Sequence, residues 1–142
     1  MAATTTPKTG HGATVAFSGS TNSALAPKLV GITMHSETRG DVEISDLSSS
    51  CKLFLPEDLI DYGEVTLRIH VVNSEQLPAL ESAETVTITA KLETGETTAR
   101  IVAGTGYVKS RGGFNFNTSE ARIAEVRVKW DGTTPPALTI AT

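Results

Sequence analysis

Residues 64–71 read Glu64-Val65-Thr66-Leu67-Arg68-Ile69-His70-Val71, and this stretch decides the fold class. Val65, Leu67, Ile69 and Val71 fall on one face, with Glu64, Thr66, Arg68 and His70 on the other. A period of two with one apolar face is the pattern of a half-buried antiparallel strand. Thr85 to Leu92 repeats it, setting Val86, Ile88, Ala90 and Leu92 against Thr85, Thr87, Thr89 and Lys91. Ala124 to Trp130 repeats it again, with Ala124, Val126, Val128 and Trp130 inward. Val and Thr dominate all three stretches, as a pleated surface favours. Weaker alternation marks Thr14 to Phe17, Leu29 to Met34, Asp41 to Ser45, Cys51 to Leu55, Arg100 to Val108 and Leu138 to Ile140. Turn signals stand between them at Gly19-Ser20, Arg39-Gly40-Asp41, Glu93 to Glu96 and Asp131-Gly132. The expected fold is therefore mainly β, an antiparallel β-sandwich or barrel-like domain. Gly104 and Gly106, inside one strand, predict a bulge or a close backbone approach.

One segment breaks the period. Pro56-Glu57-Asp58-Leu59-Ile60-Asp61-Tyr62-Gly63 places Pro where a first helical turn accepts it and Gly where a helix ends. Glu57 and Asp58 would sit at the positive end of the helix dipole. One short flanking α-helix is expected over residues 56–62, about two turns long and dependent on docking against the sheet.

The chain has 142 residues, 39% hydrophobic and 20% charged, which fits a single domain over residues 1–142. Residues 1–10 and 131–142 are polar and aperiodic, and are expected to form extended arms that are either disordered or ordered by another subunit. Apolar runs are short, as at Leu53-Phe54-Leu55, so no transmembrane helix is expected. The Thr-rich start lacks a secretory pattern, and the lone Cys51 excludes an intrachain disulfide and a multi-cysteine zinc site. A reducing compartment follows as the expectation. Net charge is −4 with no basic run, which argues against tight, sequence-specific nucleic-acid binding.

No arrangement of residues supports catalysis, a cofactor or a metal. His11, His35 and His70 are widely spaced, and His70 falls on the wet face of its strand. Cys51 carries no nucleophile signature and is expected to be a buried or inert thiol. Glu57, Asp58, Asp61 and Glu64 do not follow the ligand spacing of a calcium loop. Gly104-Thr105-Gly106-Tyr107-Val108-Lys109 falls short of a phosphate loop. Arg39-Gly40-Asp41 reads as a plain turn, and Asn117-Thr118-Ser119 is a glycosylation pattern that matters only with secretion.

The order of features resembles the tail tube proteins (major tail proteins) of long-tailed bacteriophages. The likeness rests on Thr9 to Phe17, on Ile32 to Asp46 with Glu37-Thr38-Arg39 and Asp41-Val42, and on Cys51 to Glu64. Ala83 to Ile88 and Gly106-Tyr107-Val108-Lys109-Ser110 extend it to roughly residues 9–130. The resemblance implies a structural virion protein with no enzymatic activity. Six subunits would form a ring, and rings would stack into a hollow tail tube that conducts DNA from capsid to host. The implied partners are further copies of the chain, other tail proteins at the tube ends, and a tape measure protein and genomic DNA inside the lumen, with no membrane. The implied location is the virion tail, assembled in the host cytoplasm. An acidic chain fits this role, because a negative wall lets DNA slide.

The stretch from Ser36 to Leu53, together with both termini, is the candidate contact between rings or subunits. Glu37, Arg39, Asp41, Glu43 and Asp46 alternate with or flank Val42, Ile44 and Leu47. A free loop would leave Val42 and Ile44 wet, so an extended hairpin covered by a neighbour is expected, with its charges setting register. Two other readings compete. One is the tube protein of a related contractile injection or secretion system. The other is a carbohydrate-binding or adhesin sandwich, which needs an exposed aromatic cluster from Tyr62, Tyr107 and Trp130.

Overall fold

Alternation becomes strand through most of the molecule. The computed structural model describes residues 11–25, 27–71, 77–92, 99–113 and 122–139. Of these residues 55% are strand and none is helical, so the protein is mainly β. The strands are β1 (Thr14–Phe17), β2 (Leu29–Met34), β3 (Thr38–Glu43), β4 (Phe54–Asp61), β5 (Glu64–His70), β6 (Glu84–Thr89), β7 (Ile101–Gly112), β8 (Ile123–Trp130) and β9 (Ala137–Thr139). The expected turn at Glu93 to Glu96, the Asn117 pattern and the arm at residues 1–10 lie outside the described residues.

One antiparallel sheet runs in the order β1-β6-β7-β8-β5-β2, with β9 added to β7. It curls into a half-barrel. Its inner face gathers Val15, Phe17, Val86, Ile88, Val108 and Trp130 around Val65, Leu67, Ile69, Val126 and Val128, the last five with no exposed surface. Burial of each such aliphatic side chain contributes about 1.5–3 kcal/mol. A polar clamp sits beside this core. Asn22 Nδ2 donates to Glu84 Oε1 and to the Ala79 carbonyl, both at 3.2 Å, and Ala79 N donates to Asn22 Oδ1 at 2.8 Å. Pairing is what makes a buried amide tolerable.

The helix expected over residues 56–62 is not formed, because Phe54–Asp61 is strand β4. Strand β3 is the reason. Pairing from Thr38↔Asp61 to Glu43↔Phe54 satisfies both backbones, whereas so short a helix has only its own marginal bonds. Between Arg39↔Ile60 and Asp41↔Pro56, β3 advances two residues while β4 advances four, so β4 bulges. The acidic run after Pro56 is this bulge rather than a helix start. Pro56 is accommodated because both strands of a two-stranded sheet are edges. Gly63, at φ +80, makes a bend instead of a helix end, since a Cβ there would lie 3.0 Å from the Ser36 carbonyl oxygen.

The other end of the chain also departs from expectation. Residues from 131 onward run along β7 of their own subunit as far as Thr139. Asp131 N donates to Thr105 O and Thr105 N to Thr134 O, each at 3.0 Å, and Leu138 then pairs with Val102. Backbone hydrogen bonds order this segment, which its poor apolar content could not signal. Gly104 makes room for it: a Cβ there would lie 2.9 Å from Pro136 Cα. At Gly106 a Cβ would lie 2.8 Å from the Lys129 carbonyl oxygen. Both glycines therefore mark close backbone approaches, and β7 shifts register just beyond them, between Val108 and Ser110.

Candidate assembly interface

The β2–β5 ladder ends at Met34↔Val65, and His35 N donates to Glu64 O at 2.9 Å. Past the bend at Gly63 the same hairpin continues as β3 and β4, a separate two-stranded sheet. Every residue of both strands is exposed. The register sorts this arm into two faces. Val42 pairs with Leu55, and Ile44 N donates to Leu53 O at 2.8 Å, so Val42, Ile44, Leu53 and Leu55 share one face. Asp41, Glu43, Phe54 and Pro56 share the other. The four aliphatic residues are 45–52% exposed, Leu59 is 83% exposed and Leu47 at the tip is fully exposed. Val42, Leu55, Pro56 and Leu59 line a shallow groove flanked by Glu57 and Asp58.

Hydrogen bonds hold the tip and the root of the arm in shape. At the tip, Asp46 Oδ1 accepts from Ser48 N at 2.9 Å and Ser48 Oγ at 2.6 Å. The Ser48 hydroxyl, then the Ser48 amide, hold the Asp46 carboxyl below its ordinary range. At the root, Asp61 Oδ1 accepts from Lys129 Nζ at 2.6 Å and Gly63 N at 2.8 Å. Lys129 is the main reason that Asp61 ionises more readily than a free aspartate. Glu64 is shifted the same way by its 2.7 Å bond from Lys109 Nζ.

The structure places Arg39, Asp41, Val42 and Glu43 on β3, with Glu37 just before it and Ile44, Asp46 and Leu47 in the connection to β4. All eight are on the arm. The sequence pattern missed the other half of the arm: Phe54 and Leu55, though in an expected strand, fall beyond the contact stretch ending at Leu53, and Glu57, Asp58 and Leu59 fall in the expected helix. Their signal was the three-residue apolar run at Leu53-Phe54-Leu55, matched in length to the alternation at Val42 and Ile44. Cys51, expected to be buried or inert, is exposed in the same connection.

Elsewhere the groups with chemical potential stay apart. His35 Nε2 lies 3.1 Å from Thr66 Oγ1. Among the described residues no three His, Cys, Asp or Glu side chains converge. Trp130 is buried in the core, which removes it from any sugar-binding platform.

Charge is unevenly distributed. Residues 36–63 hold seven carboxylates against Arg39 and Lys52, a net of −5, while the whole chain is −4. The remainder is thus +1. On the polar face of β5, β7 and β8, Arg68, Lys109, Arg127 and Lys129 outnumber Glu64 and Glu125. The acidity of the chain belongs to the arm and not to the sheet.

No protein-family model and no curated protein matches the chain by sequence. Among solved structures, a chain from the cryo-EM structure of the anti-feeding prophage baseplate, 6-fold symmetrised, has a similar fold. The TM-score is 0.64, covering 96% of this chain and 97% of that one, at 14% identity. At that identity the shared property is the fold.

Proposed function

We propose that this protein is a structural subunit of a phage-tail-like particle, assembling as six-membered rings that stack into a hollow tube. The arm carries this reading. An isolated two-stranded hairpin is marginal in water, and this one leaves Val42, Ile44, Leu53 and Leu55 together on an exposed face. Such a face is suited to being covered by a neighbour, and in a homopolymer the neighbour is another copy of the chain. The contact is made by Val42, Ile44 and Leu47, with Glu37, Arg39, Asp41, Glu43 and Asp46 fixing register. Within a ring, β1 and β2 have outer edges unpaired among the described residues, and strand pairing across subunits would protect them. Likeness over nearly the full length to a chain of a sixfold-symmetrised baseplate supports both the ring and its size. Other tail proteins cap the tube ends, and a tape measure protein occupies the lumen during assembly in the host cytoplasm.

What passes through the tube divides two readings. In a virion tail the cargo is DNA. The second reading, a tube of a contractile injection system with another cargo, is supported by the likeness to a chain of the anti-feeding prophage baseplate. Electron microscopy of the purified protein tests the assembly. Wild type at high concentration is expected to form sixfold rings and tubes, and Val42→Asp/Ile44→Asp a folded, soluble monomer. Normal tubes from the double variant, or another rotational symmetry in the wild type, contradict the proposal.

A further inference from the structure

Two lysines brace the root of the arm, and only one of them bonds to it. β3 and β4 pair with each other and, among the described residues, with no strand of the large sheet. The chain passes between the two sheets twice, at residues 35–37 and at Tyr62-Gly63. The backbone bond beside the second crossing is long, from Trp130 N to Gly63 O at 3.3 Å. A cleft of about 260 Å³ adjoins it, lined by Ile60 and Asp61 from the arm and by Lys129, Asp131 and Gly132 from the body. Here Lys129 Nζ donates to Asp61 Oδ1 at 2.6 Å, and the same oxygen accepts from Gly63 N at 2.8 Å. Asp131 accepts from Thr133 N at 2.8 Å within its own turn.

The Lys129–Asp61 bond is not the one that the ladder offers. In the β5–β8 register Lys129 lies directly across from Glu64, and opposite charges facing each other across a ladder attract. Glu64 Oε1 is instead taken by Lys109 Nζ at 2.7 Å, reaching over β8 from β7. Lys109 is the extra residue where β7 shifts register, between Val108↔Val128 and Ser110↔Arg127. A bulge of this kind re-aims the side chain that it carries. We infer that Lys109 sets the angle of the arm through Lys129: by holding Glu64 it leaves Lys129 to hold Asp61 across the bend at Gly63. Lys109 is thus a positioning residue for a segment to which it does not bond. The side chains of Asp61 and Lys109 are 58% and 53% exposed, so the relay biases the arm rather than locking it. An exposed ion pair shifts a two-state ratio by about two- to fivefold. The relay belongs to the free subunit, and it holds or fails apart from the assembly reading.

The chain carries its own probes. Cys51, the only cysteine, is exposed between β3 and β4, and Trp130, the only tryptophan, is buried in the body. Energy transfer from Trp130 to an acceptor attached at Cys51 therefore reads the angle of the arm in dissociated, full-length subunits. The unlabelled form of each variant supplies the donor reference, and urea unfolding followed by Trp130 verifies its fold. Lys129→Met is expected to raise the ratio of displaced to braced arms about two- to fivefold, seen as a second component in the donor decay. Lys109→Met is expected to do the same. Lys109→Met/Lys129→Met is expected to match Lys129→Met alone, and Glu64→Gln/Lys109→Met to return to wild type. The relay is overturned if Lys109→Met leaves the transfer at its wild-type value, if its effect adds to that of Lys129→Met, or if Glu64→Gln fails to reverse it. Unchanged transfer in Lys129→Met also overturns it, because the backbone alone then holds the arm.

Discussion

Leu67 in β5 has no exposed surface, whereas Leu55, in the strand immediately before it, is half exposed. Both belong to alternating strands and both have an aliphatic residue across the ladder, Val126 for Leu67 and Val42 for Leu55. The half-barrel closes over its apolar face and the arm does not. Alternation thus reports that one face is to be dry. It does not report which chain will dry it. In the body the answer is the same subunit, and on the arm the charge and the exposed aliphatic face point to another.

That contrast can be broken most sharply by truncation. Leu67→Ala is expected to destabilise the isolated subunit by about 2–5 kcal/mol, from lost burial plus a cavity. Leu55→Ala is expected to change it by less than about 0.5 kcal/mol. Urea unfolding followed by the buried Trp130 reads both. Equal costs would mean that the arm packs on its own body. Glycines give the same comparison at smaller scale. Gly106→Ala forces a methyl against the Lys129 carbonyl and is expected to cost about 1–3 kcal/mol. Gly31→Ala enters open space in a strand and is expected to be neutral or stabilising by up to about 0.5–1 kcal/mol.

The legible part of the fold was the part with a partner in its own core. Val65, Leu67 and Ile69, with Val126 and Val128, follow from period two alone, and Gly104 and Gly106 were readable as close approaches. The arm was half legible. Val42 and Ile44 stood out as apolar residues among charges, but Pro56 and the carboxylates after it imitated a capped helix. They were in fact a bulge opposite Gly40, over which the Glu57 carboxyl lies. The C-terminal segment was legible only at Leu138, where weak alternation marks a strand, because the backbone bonds that dock residues 131–139 on β7 carry no side-chain signature.

The junction of body and arm gives the smallest effect. Lys129 and Lys109 lower the Asp61 and Glu64 pKa values, so each pair adds stability above the ordinary carboxylate pKa. That contribution is lost as pH falls through the lowered values in the folded state. The protection factor of the Gly63 amide, whose N–H donates to Asp61, is therefore expected to fall in acid and to stay level between neutral and alkaline pH. Lys129→Met is expected to raise the Asp61 pKa and move the onset of this change to higher pH. An unchanged onset in that variant would detach Lys129 from the arm.

Hydrogen exchange across the whole arm, compared between dissociated subunits and assembled particles, tests the central claim most directly. The β3 and β4 amides, in an exposed ladder, are expected to exchange readily in the free subunit and to slow at least about tenfold on assembly. Core amides of β5 and β8 are expected to be protected in both states. Arm amides that exchange as fast in the assembled particle as in the free subunit would contradict the account, because no second copy would then be covering the face formed by Val42, Ile44, Leu53 and Leu55.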